Sequence, residues 1–157
     1  GEALIKVGAG LSTLGVSVDG VDIAIENHAE PVYTDTYGPR MPFDEQYFGE
    51  TARISFTLIF YDETVLAPYR ALSDNATEGA IGTPGSLFGA GSLYTRLLIT
   101  SPVASRPYNF LKARPVDAQR GRVGTRRTTW DMTWFAIPYS GAAGDPDGTV
   151  LYNATTS

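Results

Sequence analysis

The stretch Thr51–Phe60, TARISFTLIF, decides how this chain folds. Ala52, Ile54, Phe56, Leu58 and Phe60 fall on one side of an extended chain, and Thr51, Arg53, Ser55 and Thr57 on the other. A period of two, rich in β-branched and aromatic types, predicts a half-buried strand. Wound at 3.6 residues per turn, Arg53 and Ser55 would interrupt any apolar stripe. The pattern returns at 128–138, TTWDMTWFAIP, with Trp130, Met132, Trp134 and Ala136 on one face. Two such strands far apart in sequence predict one mainly antiparallel β-structure, with Phe56, Leu58, Trp130 and Trp134 in a shared core.

Working outward from the first strand, Asp62–Ser73 (DETVLAPYRALS) suits a short helix. Asp62 is placed to cap it, Glu63 favours the positive dipole end, and Val65, Leu66, Tyr69 and Leu72 share a face. Pro68 removes one backbone donor, which predicts a kink or a later start. Upstream, Val16–Glu26 (VSVDGVDIAIE) reads as a hairpin turning at Asp19-Gly20. Residues 1–15 are small and Gly-rich and read as a flexible N-terminal arm. His28–Glu50 reads as a long loop holding Pro31, Pro39 and Pro42 among Tyr33, Tyr37, Phe43, Tyr47 and Phe48. Those rings either cap the core edge or form a protruding contact surface, since Tyr and Phe supply much of the contact energy at interfaces. Downstream, 74–92 is a second, Gly-rich loop. Strands are expected at 93–100, with Leu93, Thr95, Leu97 and Ile99 on one face, and at 108–113. A last short strand is expected at 149–152. The expected fold is thus mainly β: an antiparallel sandwich or barrel with one short flanking α-helix and long loops, in a single domain spanning 1–157.

At 157 residues, with 43 % hydrophobic and 18 % charged residues, the chain is long enough to bury a core unaided. It has no cysteine, which excludes disulfides and thiolate chemistry, and one histidine, His28, which argues against His-based metal sites and triads. No apolar run approaches the roughly 20 residues of a membrane helix, and the first residues lack an export signal. Candidate motifs fail on detail. Gly8-Ala-Gly10 lacks the third glycine of a dinucleotide loop, with Thr13 in its place. Asp145-Pro-Asp147-Gly148 lacks the remaining ligands of a calcium loop. Asp44-Glu45 and Asp62-Glu63 are adjacent acids whose side chains diverge on a strand, so neither is an acid–base pair. The expectation is no catalytic residue, no metal, no cofactor and no small-molecule substrate.

Charge is unevenly spread. Residues 1–78 carry thirteen acids against four cations, a net −9, whereas 96–127 carry eight cations against Asp117 alone, a net +7. The basic segment at 112–127 includes Arg120, Arg122, Arg126 and Arg127. It reads as a nucleic-acid contact, as a solvated loop joining two strands, or as a patch that docks on the acidic region of a neighbouring copy. Only Phe110 and Trp130 flank it, so it lacks the interleaved rings of a single-strand binder.

The order of a VSVDGVDIAIE segment, a long loop ending in MPFDEQYFGE, a strand TARISFTLIF and an acidic helix start YDETVLAPYRAL resembles the tail tube proteins of tailed bacteriophages. Gly20, Val21, Asp22 and Ile23, then Gly49, Glu50, Ile54, Phe56 and Leu58, carry the likeness, which covers residues 14–72. The resemblance implies a non-enzymatic virion protein assembled in the host cytoplasm. Its subunits would form rings, typically hexamers, stacked into a tube through which DNA passes transiently. Its partners would be copies of itself and other virion proteins, with no membrane. Tyr33, Tyr37, Phe43, Tyr47, Phe48, Arg120, Arg122, Arg126 and Arg127 are then the expected subunit contacts. A capsid cement or decoration protein is the alternative within such a particle. A β-rich hydrolase or carbohydrate-binding module is the alternative of another class, supported only by the Tyr and Trp residues.

Overall fold

The computed structural model describes residues 2–8, 10–33, 41–70, 94–101, 107–124, 128–138 and 151–152. Its elements are β1 (Leu4–Val7), β2 (Ser12–Tyr33), β3 (Pro42–Tyr61), α1 (Glu63–Arg70), β4 (Thr95–Thr100), β5 (Tyr108–Arg122), β6 (Thr129–Ala136) and β7 (Leu151–Tyr152). Six of the strands run in the order β4-β1-β2-β3-β6-β5, and the β4–β5 pairing closes them into an antiparallel barrel. Closure covers the edges of β2 as far as Val16 and of β5 as far as Ala113, where β1 and β4 pair with them.

The two patterned stretches are hydrogen-bonded neighbours: Ile54 lies opposite Trp134, Phe56 opposite Met132 and Leu58 opposite Trp130. Direct cross-strand partners share a face, so the apolar sides of β3 and β6 form one continuous inner wall. Ile54, Leu58 and Trp134 are fully buried there, with Phe110 of β5, Leu97 of β4 and Ile5 of β1 completing the circle. Helix α1 adds Leu66 to this core and sets the Tyr69 ring 5.3 Å from Trp134. Asp62 caps it as expected, its Oδ1 accepting from the Thr64 N–H at 2.9 Å. Pro68 lies inside the helix, which ends two residues later at Arg70.

Several sequence expectations are corrected. The described residues of the expected flexible arm 1–15 are not free. Ala3, Ile5 and Val7 alternate inward and are buried, and β1 is held between β2 and β4. The signal is a four-residue strand, too short to show a period. Gly8, at φ 84°, turns the chain back into β2. Asp19-Gly20 is not a hairpin turn but a bulge inside one 22-residue strand, with Val18 opposite Thr57 and Val21 opposite Phe56. Both residues have positive φ, 57° and 92°, which a tight turn and a bulge demand alike. The supposed loop 28–50 is largely strand, since residues 28–33 pair with 42–49. The basic segment is likewise strand as far as Arg122, with a bulge between Val116 and Arg120. The 74–92 loop and Leu93 lie outside the described residues.

Phe60 is the remaining correction. Ser17 pairs with Leu58 but Val16 with Phe60, so Ile59 is an extra residue in β3. A bulge shifts the alternation by one. Phe60 therefore leaves the core face and stands 70 % exposed, while Tyr61 packs against the core instead. Gly15 fits the same junction. A Cβ there would lie 2.2 Å from the Phe60 carbonyl oxygen and 3.0 Å from Tyr61 Cα, both backbone atoms. Gly15→Ala is expected to cost about 3 kcal/mol or more, because the β2–β3 ladder would have to part. Urea unfolding checks this, and an unchanged midpoint would contradict the close approach.

Candidate assembly surfaces

Beyond the barrel, β2 and β3 continue as a two-stranded ribbon. From Glu26–Thr51 to Tyr33–Pro42 they pair only with each other among the described residues. Its side chains have no core to cover, yet they include Tyr33, Tyr47 and Phe48, which are 53 %, 62 % and 55 % exposed. Phe48 is the extra residue of a bulge between the His28–Gly49 and Ala29–Tyr47 pairs, and Gly49 supplies the positive φ of 106° beside it. His28 Nε2 and Thr51 Oγ1, 2.9 Å apart, hold the root of the ribbon. The ribbon carries Glu26, Glu30, Asp44, Glu45 and Glu50. None of these carboxylates pairs with a cation among the described residues.

Arg120 and Arg122 stand exposed on β5, opposite Asp131 and Thr129. This is the far end of the sheet from the ribbon, level with the end of β3 that carries Phe60. A 20-residue strand at about 3.3 Å per residue separates the two ends by roughly 60 Å. The structure thus brings Tyr33, Tyr47 and Phe48 together but parts them from Arg120 and Arg122. Phe43 lies on the ribbon strand β3, its side chain outside the described residues. Tyr37, Arg126 and Arg127 also fall outside them. Sequence reasoning missed Phe60 and Val123, which is 84 % exposed beside Arg122. A bulge leaves no mark in an apolar run such as Leu-Ile-Phe-Tyr, so no local signal was there to find.

The outer face of β2, β3, β6 and β5 is polar, and part of its charge is paired internally. Thr57 Oγ1 donates to Asp131 Oδ1 at 2.7 Å, and Ser55 and Thr133 hydroxyls meet at 3.3 Å. Arg53 Nη1 reaches Asp117 Oδ2 at 2.6 Å and lies over the Phe135 ring. Asp117 sits in the β5 bulge at φ 58°, a conformation that aspartate tolerates better than most residues. A cleft of about 550 Å³ crosses this face between the two bulges, lined by Asp19, Asp22, Ser55, Thr57, Asp131 and Thr133. Among the described residues, no three or more His, Cys, Asp or Glu side chains are grouped to hold a metal. Burial, with Glu63 adding and Arg70 opposing, raises the Tyr61 phenol above its ordinary value, so it stays protonated at neutral pH.

No protein-family model matches the sequence, and no curated protein matches it significantly. Solved structures do. A chain from the virion of a native gene transfer agent particle aligns over 97 % of this chain and 95 % of its own, at 11 % identity and a TM-score of 0.51. A chain from the extended sheath–tube complex of an extracellular contractile injection system aligns over 85 % of this chain and 83 % of its own, at 15 % identity and a TM-score of 0.43. The closed barrel, the one helix among the described residues and the near-complete overlap with the gene transfer agent chain show that this chain shares the fold of a virion chain.

Proposed function

We propose that this chain is a structural, non-enzymatic virion protein: a tail tube subunit that forms rings, six to a ring, stacked into a conduit for DNA. The observation that carries the reading is the ribbon, a long aromatic and acidic projection that serves no packing purpose in a single copy. Two further features support it. The edge of β2 from Val18 onward, and that of β5 from Arg114 to Arg122, have no third strand among the described residues. These are different edges on opposite sides of one four-stranded sheet. Contacts between unlike surfaces of this kind build rings when the rotation closes.

In such a ring the bulk of each barrel, with β1, β4 and α1, stands on one side of the joined sheets. The less crowded side is the polar outer face, and it borders the bore. A conduit must not grip its cargo. Here Arg53 is already paired to Asp117, Asp19, Asp22 and Asp131 repel phosphate, and Arg120 and Arg122, opposite Asp131 and Thr129 on the same face, are left to a neighbour's acids. Tyr33, Tyr37, Phe43, Tyr47 and Phe48 contact adjacent subunits, and Arg120, Arg122, Arg126 and Arg127 face a neighbour's acids. The partners are copies of this chain and other virion proteins, after assembly in the host cytoplasm. Negative-stain images of the purified protein test this. Rings and tubes with a central bore are expected. Trimers seated on capsids would replace the reading with a cement role, and monomers at high concentration would remove it.

A further inference from the structure

Phe60 has no role in the fold that exposes it. The bulge at Ile59 turns its ring out of the barrel into a row with its cross-strand partner Val16 and, beyond that, Leu4, which pairs with Val16. Val123 and the exposed Arg120 and Arg122 stand at the same end of the adjoining strands. This end presents apolar side chains and two arginines beside the exposed Asp62, Glu63 and Asp131, of which Glu63 is already paired with Arg70. The opposite end of the same strands, the ribbon, is aromatic and acidic: Tyr33, Met41, Tyr47 and Phe48 are exposed among five carboxylates, with no described lysine or arginine. The arginines that the described ribbon lacks thus stand at the opposite pole, and roughly 60 Å of strand keeps the two from meeting within one molecule.

We infer that the Phe60 pole is the landing site for the ribbon of a second copy in the next ring, with Phe60 as its apolar anchor and the arginines steering the carboxylates. The inference rests on the stacked-ring reading and names the axial contact within it. Buried rings carry most of the affinity at such sites, while exposed charge pairs set register and rate. Phe60 lies off the two sheet edges that would join copies within a ring, so stacking and ring closure can be read separately.

The chain contains no cysteine, so single-cysteine variants report contacts without background. Phe60→Cys protein is mixed with Tyr33→Cys or Tyr47→Cys protein under assembly conditions, oxidised, and run without reductant. The expected result is a mixed disulfide dimer that far exceeds either self-dimer. In parallel, Phe60→Ser is expected to leave the monomer's melting temperature unchanged and rings intact, while weakening stacking on the order of tenfold per interface. Rings that stack normally with Phe60→Ser and give no mixed dimer overturn the inference and leave the ring reading standing. The absence of rings in the unmodified protein overturns the ring reading itself, and this inference with it.

Discussion

Trp134→Ala is expected to destabilise the protein by about 3–5 kcal/mol, the range for losing a large buried ring from a packed core. Trp134 is fully buried on β6, opposite Ile54, and the Tyr69 ring of α1 rests on it. Its removal would open a cavity between the inner wall and the helix and loosen both. The indole N–H adds nothing that is lost, since Nε1 finds no acceptor among the described residues. Trp134→Phe should therefore cost far less than the alanine change. Trp130 contrasts with it, because its Nε1 donates to Gln119 Oε1 at 2.8 Å and Gln119 donates in turn to the Tyr69 carbonyl. Denaturant unfolding of the two Trp134 variants checks both statements. Equal losses for alanine and phenylalanine would show that the indole nitrogen matters after all.

The second large effect concerns assembly. Excising residues 28–49 and joining Asn27 to Glu50 through Asn-Gly should leave a folded barrel that does not assemble. The excision leaves every core residue in place, and a two-residue turn suits the twist of the strands that it joins. The variant is expected to melt within a few degrees of the parent and to sediment as a monomer. Arg120, Arg122, Arg126 and Arg127 changed together to serine should instead slow assembly and make it less sensitive to salt, because exposed pairs contribute only about 0–1 kcal/mol each. If the ribbonless protein assembles while the arginine variant does not, the basic segment is the interface and the aromatic account fails.

What the sequence made legible was whatever regular alternation exposes. Ala52, Ile54, Phe56 and Leu58 face inward as their spacing demands, and so do Met132, Trp134 and Ala136. Asp62 announced its helix because a cap is a local event. What stayed hidden was the work of bulges. At Asp19-Gly20 an extra pair of residues mimics a turn, since both structures ask for positive φ from the same residue types. At Ile59 one extra residue inverts the face of Phe60. Between Val116 and Arg120 a bulge of three residues against one disguises a strand as a basic loop. The ribbon was hidden for a different reason: a strand pair without a core has no buried side, and so shows no alternation. Its aromatic content was legible, and its extended form was not.

The placement of unlike surfaces at the two poles has a consequence for growth. A structure built by joining one pole to the other has direction, and each added layer presents the same free end as the one before. Nothing in that contact says when to stop. In such a structure, length would have to be set by something other than this contact. Orientation, by contrast, is inherited: the first layer laid down determines which way every later ribbon points.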